Sequence, residues 1–396
     1  MSLARSVAAP AVLNIADLRR AAMRRLPRVV FDYVDGGADA EVTLRANCAI
    51  YQQVLFRPRG AVALPRANLE TTLLGQRLSL PFLLAPVGST RLLYPKGEVE
   101  AARAAAAAGA GYVLSTLAGT SLEEVRAASN GVCWYQVYLV GGREVASAAI
   151  ERARKAGYTA LVLTVDTAIS GLRERDYRNG IQQLLGLNPF GKLRYAWQIL
   201  SRPGWLMGYL ADGGLMRFPN VLLPEGPMRY AAVAAALEQS VVSWADLKWI
   251  REIWNGPIVI KVILTGEDGE RAVDAGAAAV VVSNHGGRQL DGVFPTLRAL
   301  PEVVAAVRGR IDVLMDGGIR RGSDIIKAMS LGAKAVLIGR PYYWGLAAFG
   351  QVGVQRVVEM LRGEMMVAMG QSGIPNLAAF DRSLVEFLPG TRTVLD

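Results

Sequence analysis

From about residue 80 onward, eight short apolar segments alternate with longer helical patterns, and this alternation constrains the fold more than any other feature of the chain. Nearly continuous apolar strands are typical of a parallel sheet covered by helices. Eight such units predict an α/β fold, the closed (β/α)8 TIM barrel, which needs roughly 250 residues. The chain has 396 residues, so it also carries additions. The predicted strands are 80–86, 112–116, 133–138, 160–166, 257–262, 278–284, 313–318 and 335–340, and the predicted helices between them are 97–108, 122–127, 144–156, 266–275, 297–307 and 323–331.

The additions stand before the barrel and within it. Residues 1–79 are expected to pack on the barrel, with a helix over about 15–26 and an extended stretch after it. Residues 80–396 are assigned to the barrel. After the fourth strand, residues 173–243 show no strand pattern, and we expect an insertion at about 178–240. Loops of this length are usually functional or disordered, and the apolar composition here argues against disorder. Its aromatic residues are Phe190, Tyr195, Trp197, Trp205, Tyr209 and Phe218.

The single histidine and two cysteines exclude several classes of metalloprotein. A structural zinc site, a haem-attachment motif or an iron–sulfur cluster needs more such ligands than this chain has, so we predict no metal site. The formal net charge of +10 suits nucleic acid, anionic lipid or an anionic ligand. Because no run of five like charges is present, we predict no nucleic-acid binding. The uncharged stretch 104–122 has the pattern of helix, turn and strand, and we predict no transmembrane helix.

Small or polar residues stand at the C-terminal end of every predicted strand. In barrels of this type these ends carry the active site. Any one of the residues is equally consistent with a helix cap, but eight converging ends favour a ligand site. They are Pro86, Val87 and Gly88; Ser115 and Thr116; Gln136 and Tyr138; Thr164 and Asp166; Lys261; Ser283, Asn284 and His285; Asp316, Gly317 and Gly318; and Gly339 and Arg340.

The loops after the seventh and eighth strands combine glycines with arginines. Arg320 follows the turn at 316–318, and Arg340 follows Gly339. Bare glycine backbone lets an anion approach closely, and the start of the following helix adds partial positive charge. The two guanidinium groups would supply charge-assisted donors. These loops predict a site for a phosphate-bearing ligand, either a cofactor or a substrate.

His285 lies in the most informative segment, residues 283–291. A lone histidine is more often structural than catalytic, but this one follows an apolar strand and precedes two glycines. An imidazole can act as a base near neutral pH, and a carboxylate beside it holds its tautomer. Asp166, at the end of the fourth strand, is the candidate carboxylate. Arg288 and Arg173 are candidates for bidentate binding of a substrate carboxylate.

The segment Ser-Asn-His-Gly-Gly-Arg-Gln-Leu-Asp at 283–291 closely resembles the active-site signature of the FMN-dependent L-2-hydroxy acid oxidases and dehydrogenases, the family of glycolate oxidase and mandelate dehydrogenase. The resemblance extends from Leu-Pro-Arg-Val-Val-Phe-Asp-Tyr at 26–33 to about Gly373. It implies FMN as the cofactor and oxidation of a lactate- or mandelate-like L-2-hydroxy acid to the 2-oxo acid. It also implies a quinone or another electron acceptor and a homo-oligomer, commonly a tetramer.

The same resemblance implies roles for individual residues. His285 would take the hydroxyl proton while the Cα hydrogen passes to flavin N5 as hydride, or, in an alternative carbanion route, it would take the Cα proton. Tyr138 would steady the developing oxygen charge, and Lys261 would lie by the N1/O2 edge of the flavin. The implied catalytic and substrate-binding set is Tyr33, Tyr138, Asp166, Arg173, His285 and Arg288. The implied FMN set is Pro86, Val87, Gly88, Ser115, Gln136, Thr164, Lys261, Ser283, Asp316, Gly318, Arg320, Gly339 and Arg340.

Three positions depart from the family pattern. Gly88 stands where the oxidases often have alanine. Glycine at this position resembles mandelate dehydrogenase and lactate monooxygenase, and it argues against direct, efficient use of O2. Leu117 stands where glycolate oxidase has tryptophan, which leaves room for a larger substrate. Val262 follows Lys261 where glycine is usual, and we expect a shift of the backbone beneath the flavin.

The insertion resembles that of a subgroup, the membrane-bound bacterial lactate and mandelate dehydrogenases, through Ser-Arg-Pro-Gly-Trp-Leu-Met at 201–207. Basic residues interleaved with aromatic ones suit a segment that lies in the membrane interface. We therefore expect a peripheral enzyme on the cytoplasmic side of the membrane. The alternatives are a lid or an oligomer contact in a soluble cytoplasmic protein. Two other functions stay open: a soluble oxidase that releases hydrogen peroxide, and a barrel that binds a phosphate ligand without redox chemistry.

Overall fold

The computed structural model describes residues 12–62, 67–185, 193–214, 216–238 and 240–389. At its centre, eight parallel strands form a closed barrel in which the last strand pairs with the first. The predicted (β/α)8 barrel is therefore confirmed. The barrel strands are β1 (Phe82–Leu84), β2 (Gly111–Leu114), β3 (Cys133–Val137), β4 (Leu161–Thr164), β5 (Ile258–Ile263), β6 (Ala279–Val282), β7 (Asp312–Met315) and β8 (Ala335–Ile338).

Helices follow the barrel strands and cover the outside of the barrel. The six helices predicted from the sequence begin and end within two residues of their predicted bounds. Ser121 and Thr265 cap two of them by accepting hydrogen bonds from Glu124 N and Asp268 N. The helices are Gly97–Ala108, Leu122–Ala127, Gly142–Ala156, Asp246–Ile253, Gly266–Asp274, Thr296–Val307, Gly322–Ser330 and Arg340–Gln371, the last with a kink at Phe349 and Gly350.

Successive side chains of each barrel strand alternate between two buried clusters, as the pleat of a strand requires. One cluster packs against the helices. The other fills the barrel, and the hairpin Thr71–Leu73 and Gln76–Leu78 adds Leu73 and Leu78 to it. Burial on both faces explains why the strands are nearly continuously apolar, and it leaves the polar strand ends outside the core. The filling residues on the strands include Leu83, Val113, Trp134, Val162, Val259, Val281, Leu314 and Leu337.

The N-terminal segment departs from the prediction. The helix Ile15–Arg25 is confirmed, but the extended stretch predicted after it is wrong, because Arg28–Asp35 and Val42–Ala49 are helices. The helix Arg28–Asp35 buries two adjacent valines, Val29 and Val30. An apolar run this short fits a strand or a helix equally well in the sequence. Val54–Phe56 then pairs antiparallel with Val385–Phe387 near the other end of the chain.

The insertion contains strands that its sequence did not reveal. Arg217–Leu223 and Gly226–Arg229 form an antiparallel hairpin, so the predicted absence of strands is wrong there. Pro219 and a shift of register interrupt the pattern by which a strand is recognised. Within the described ranges, no helix combines the length and apolar character needed to cross a membrane. The helices of this part of the chain are Glu174–Asn179, Ile181–Leu185, Ala196–Leu200, Pro203–Ala211 and Val233–Glu238, whereas Phe190 lies outside the described residues.

Candidate active site

A cavity of about 530 Å³ lies at the C-terminal ends of the barrel strands. This volume is in the range of sites that enclose small molecules. Of the nineteen predicted site residues, four lie behind the cavity wall and are hydrogen-bonded within the site: Gln136, Thr164, Asp166 and Ser283. The other fifteen line the cavity: Tyr33, Pro86, Val87, Gly88, Ser115, Tyr138, Arg173, Lys261, His285, Arg288, Asp316, Gly318, Arg320, Gly339 and Arg340.

His285 and Asp166 form a close pair across the ends of β6 and β4. His285 Nδ1 lies 3.1 and 3.0 Å from the two carboxylate oxygens of Asp166. Burial alone would raise the pKa of Asp166, but the positive charge and hydrogen bond of His285 prevail and hold it below its ordinary value. An ionised carboxylate accepts the Nδ1 proton, which leaves Nε2 as the acceptor on the imidazole ring. The imidazole is thus oriented as a base.

Tyr138 supplies a hydroxyl group next to this base. Its Oη lies 3.4 Å from His285 Nε2. Burial raises the pKa of Tyr138 well above the ordinary value, and the nearby charge of Asp166 adds to this effect. The phenol therefore keeps its proton and can donate a hydrogen bond to an oxygen that gains negative charge in the cavity.

Two arginines and a tyrosine line the same cavity as His285. Arg288 Nη1 donates to the carbonyl oxygens of Tyr33 and Gly36, at 2.9 and 2.8 Å, and its guanidinium carbon lies 5.4 Å from the centre of the Tyr33 ring. Desolvation lowers the pKa of Arg173, and the charge of Arg288 lowers it further. Two neighbouring cations with little solvent around them favour an anion such as a carboxylate.

Sequence reasoning missed several polar residues of this site, among them Asp176 and Tyr230. Asp176 Oδ2 lies 4.0 Å from Arg173 Nη1, and burial raises the pKa of Asp176. In the sequence, the available signal for Asp176 was its position three residues after Arg173. Tyr230 comes from the insertion, where no motif marked it. Phe218, Tyr230, Val233 and Leu237 bring the insertion to the cavity wall.

Lys261 is held as a buried cation at the end of β5. Its Nζ lies 2.9 Å from Ser283 Oγ and 3.0 Å from Asp316 Oδ2. Val262, the next residue, has φ of +80°, and the pairing of β5 with β6 shifts register there. This conformation is strained for a β-branched residue and free of strain for glycine. The strained conformation and the irregular pairing therefore lie directly beside Lys261.

A buried amide links three further strand ends. Gln136 Oε1 accepts a hydrogen bond from Ser115 Oγ at 3.2 Å, and Gln136 Nε2 donates to Thr164 Oγ1 at 3.2 Å. Thr116 N also donates to Gln136 Oε1. These contacts fix which end of the amide is the donor. The resulting polar edge has a defined pattern of donors and acceptors.

Gly88 and Leu117 touch, so two of the family departures are physically linked. A Cβ atom at residue 88 would lie 2.9 Å from the carbonyl oxygen of Leu117 and 3.1 Å from its Cβ. The Gly88 carbonyl also accepts a hydrogen bond from Tyr343. An alanine at 88 would therefore require movement of the Leu117 backbone.

The loops after β7 and β8 carry positive charge, but not in the arrangement predicted. Arg340 donates from Nη1 to Gly286 O at 2.8 Å and from Nη2 to Gly36 O at 2.7 Å, so these atoms bind backbone carbonyls. Desolvation lowers the pKa of Arg340 to about 9, with Arg288 and Arg320 adding to the effect. The last helix begins at Arg340, and the partial positive charge of its N-terminus favours an anion.

Comparison with known proteins identifies the family. Residues 22–387 match the model of the FMN-dependent dehydrogenases. The chain belongs to the FMN-dependent dehydrogenase family. It is 43% identical over 377 residues to an L-lactate oxidase of Nostoc sp., covering 94% of this chain and 98% of that protein. An L-lactate dehydrogenase of Caulobacter sp. is 41% identical over 382 residues, with the same coverage of each chain.

Solved structures of the family share the fold. The monotopic membrane protein (S)-mandelate dehydrogenase has a TM-score of 0.89 and 34% sequence identity, covering 96% of this chain and 100% of that one. A mandelate oxidase has a TM-score of 0.81 and 38% identity, covering 95% and 99%. Membership of this family sets aside the alternative of a barrel without redox chemistry.

The cavity fits FMN, the cofactor of this family. Asp316 Oδ1 and Arg340 Nε are buried and lack hydrogen-bond partners among the described residues, which is unusual unless a ligand completes the site. The buried ammonium of Lys261 suits the electron-rich edge of a flavin. The arginines and the helix start beside β8 suit a phosphate group. The donor set is therefore that of a phosphorylated flavin.

Trp344 holds the guanidinium group of Arg320. The guanidinium carbon of Arg320 lies 4.8 Å from the centre of the buried indole ring. We expect Trp344→Leu to weaken FMN binding about five- to tenfold, because a cation–π contact of this kind no longer orients Arg320. Titration of the apoprotein with FMN, followed by flavin fluorescence, measures the change.

Trp249→Leu is the matched control for this prediction. Trp249 is also buried and lies 5.0 Å from the guanidinium carbon of Arg143, but Arg143, unlike Arg320, does not line the cavity. The control should leave the FMN affinity unchanged, and Trp344→Tyr should retain most of it. Equal affinities of the two leucine variants would show that Trp344 does not orient Arg320.

Proposed function

We propose that this protein oxidises a lactate- or mandelate-like L-2-hydroxy acid to the 2-oxo acid. The observation that carries the proposal is that His285, oriented by Asp166, lines the same cavity as Arg173 and Arg288 in a member of the FMN-dependent dehydrogenase family. Oxidation of a 2-hydroxy acid requires a base for the hydroxyl proton and a binding site for the carboxylate. Relatives named for lactate and mandelate add support.

In this mechanism the substrate carboxylate binds Arg173 and Arg288, with the Tyr33 hydroxyl as a further donor. His285 Nε2 accepts the proton of the 2-hydroxyl group, and the negative charge of Asp166 stabilises the imidazolium that results. Tyr138 donates a hydrogen bond to the same oxygen as the proton leaves. When bound, FMN would supply the oxidant for this reaction, as the acceptor of the Cα hydrogen and its electron pair. The remaining predicted contacts would hold FMN, with Arg340 offering its unpartnered Nε and its backbone N–H at the helix start.

An anaerobic screen of flavin reduction tests this function. The purified holoenzyme is mixed with both enantiomers of lactate, 2-hydroxybutyrate, longer 2-hydroxy acids and mandelate, and the loss of visible flavin absorbance is followed. We expect the L enantiomers to reduce the flavin and the D enantiomers to leave it oxidised. Reduction by none of these acids, in a protein whose flavin is reduced by dithionite, would contradict the proposal.

The electron acceptor separates two forms of this function. We propose a dehydrogenase that passes electrons to a quinone or another acceptor. The 43% identity to an L-lactate oxidase favours a second candidate, an oxidase that uses O2. Hydrogen peroxide released at the turnover rate in air-saturated buffer would identify the oxidase. Slow peroxide release together with fast reduction of a soluble quinone would identify the dehydrogenase.

We further propose that the insertion, about residues 178–240, attaches the barrel peripherally to the cytoplasmic side of the membrane. Trp197 is 81% exposed, and Leu193, Leu200, Met207 and Leu210 are also exposed. A soluble cytoplasmic protein is the alternative, since oxidases are also among the relatives. We retain the division into residues 1–79 and the barrel 80–396, and a homo-oligomer, as parts of the proposal.

A further inference from the structure

A second cavity, of about 570 Å³, lies between the N-terminal helices and the insertion. It shares no lining residue with the active-site cavity. Its polar lining is mostly basic. The described residues that line it are Arg19, Arg28, Arg175, Arg178 and Arg202, with Asn179, one carboxylate, Asp32, and the apolar residues Met23, Leu26 and Phe31.

Most of these arginines already have carboxylate partners. Five guanidinium groups face four carboxylates, so one positive charge is left without a counterpart. That excess belongs to Arg202, which has no ion pair among the described residues. The pairs are Arg19 with Asp35, Arg28 with Asp32, Arg175 with Asp32, Asp35 and Glu41, and Arg178 with Glu174.

Arg202 is also short of hydrogen bonds. Its Nη1 donates to the carbonyl oxygen of the adjacent Ser201 at 3.1 Å, and its Nε is buried with no partner among the described residues. A buried donor that belongs to a charged group is costly to leave unpaired. An acceptor with a single negative charge would satisfy both deficits, and a phosphodiester has that charge.

The exposed apolar surface of the insertion adjoins this cavity. The helix Ala196–Leu200 directly precedes Arg202, and Gln198 Oε1 accepts a hydrogen bond from Val29 N at the start of the helix Arg28–Asp35. On the same short helix Trp197 and Leu200 are 81% and 64% exposed. A cationic recess next to exposed apolar side chains matches the order of headgroup and acyl chain at a bilayer surface.

We propose that the cavity around Arg202 binds the phosphodiester headgroup of an anionic phospholipid. The inference rests on the proposed membrane attachment and adds to it a defined binding site. Arg202 contributes both the charge-assisted hydrogen bonds and the unbalanced positive charge of the recess. The exposed helix places the acyl chains beside Trp197 and Leu200.

Co-sedimentation of the holoenzyme with vesicles tests this site. Arg202→Gln is compared with Arg194→Gln, which removes the same charge from the same insertion outside the cavity. On vesicles of phosphatidylcholine and phosphatidylglycerol we expect Arg202→Gln to bind about 20-fold more weakly than the wild type. The vesicle affinity of Arg194→Gln should fall about fivefold at most, which is the effect of one basic residue near an anionic surface. On pure phosphatidylcholine the wild type and Arg202→Gln should bind alike.

Other results would overturn the site in distinguishable ways. If the two variants lost vesicle affinity equally, the attraction would be diffuse and electrostatic. If Arg202→Gln bound the vesicles as tightly as the wild type, the cavity would have no role in binding. Release of the wild type from vesicles by millimolar inorganic phosphate at constant ionic strength would identify free phosphate as the ligand. If the wild type bound no vesicles, membrane attachment itself would fail. Substrate reduction of the flavin at the wild-type rate shows that each variant is folded.

Discussion

His285→Ala is expected to keep its FMN and to reduce it about 10³-fold more slowly with an L-2-hydroxy acid, because the positioned base that accepts the hydroxyl proton is lost. His285 contacts Asp166, Tyr138 and Ser283, and its side chain is one of many that line the FMN cavity. Anaerobic stopped-flow measurement of flavin absorbance gives the rate. Reduction at nearly the wild-type rate would show that another group is the base.

Two further measurements distinguish loss of the base from damage to the bound cofactor. Photoreduction of the bound flavin shows whether the cofactor itself stays competent, since that reaction needs no base. Asp166→Asn should slow substrate reduction in the same direction, because an amide cannot stabilise the imidazolium as a carboxylate does. Loss of FMN from the alanine variant would be visible in the absorbance spectrum before the rate is measured.

The pKa of Asp166 defines how this pair responds to pH. His285 holds it below the ordinary value of 3.8, so the carboxylate is charged throughout the neutral and mildly acidic range. A depressed carboxyl pKa stabilises the fold above the unfolded-state value, and that contribution is lost as pH falls through the folded-state value. Removing this pair should therefore reduce stability at neutral pH and make little difference in strong acid.

The sequence located the active site because parallel strands bring their C-terminal ends together. Asp166 and His285 are 119 positions apart, yet both follow apolar strand patterns, and the closed barrel puts them in contact. The same reasoning located Lys261 near Ser283 and Asp316. In each case a local pattern placed the residue at the end of a strand, and the closed barrel brought that strand end close to the others.

Side chains whose partners lie outside that pattern could not be predicted. The Nη atoms of Arg340 bind the carbonyls of Gly286 and Gly36, because the N-terminal segment folds over the barrel in a way that no motif records. Tyr230 lines the cavity directly after a hairpin whose strand pattern is interrupted by Pro219 in the sequence. Such contacts depend on how loops pack, which hydrophobic periodicity does not encode.

Val262 shows a local conflict that the sequence did signal. A β-branched residue at φ of +80° stores strain, and backbone strain of this kind persists where the surrounding structure enforces it. Val262 directly follows Lys261 and lies at the register shift between β5 and β6. The family's usual glycine follows from this backbone conformation, and no contact of a side chain with the ligand is needed to explain it.

Arg173→Leu should raise the dissociation constant of the 2-oxo acid product, or of oxalate, about 100-fold, because one of the two guanidinium groups facing the carboxylate is removed. KM for the 2-hydroxy acid should rise similarly. Titration of the oxidised holoenzyme, followed by the perturbation of the flavin spectrum, measures the constant.

Arg175→Leu is the matched control for Arg173→Leu, since Arg175 lies in the short helix that begins directly after Arg173 but pairs with Asp35 and Glu41 outside the active-site cavity. It should bind oxalate as the wild type does. If Arg173→Leu also kept its affinity, the carboxylate would lie on Arg288 alone. Desolvation and the charge of Arg288 lower the pKa of Arg173, and an anion that contacts both guanidinium groups offsets these costs, so we expect both arginines to bind the carboxylate.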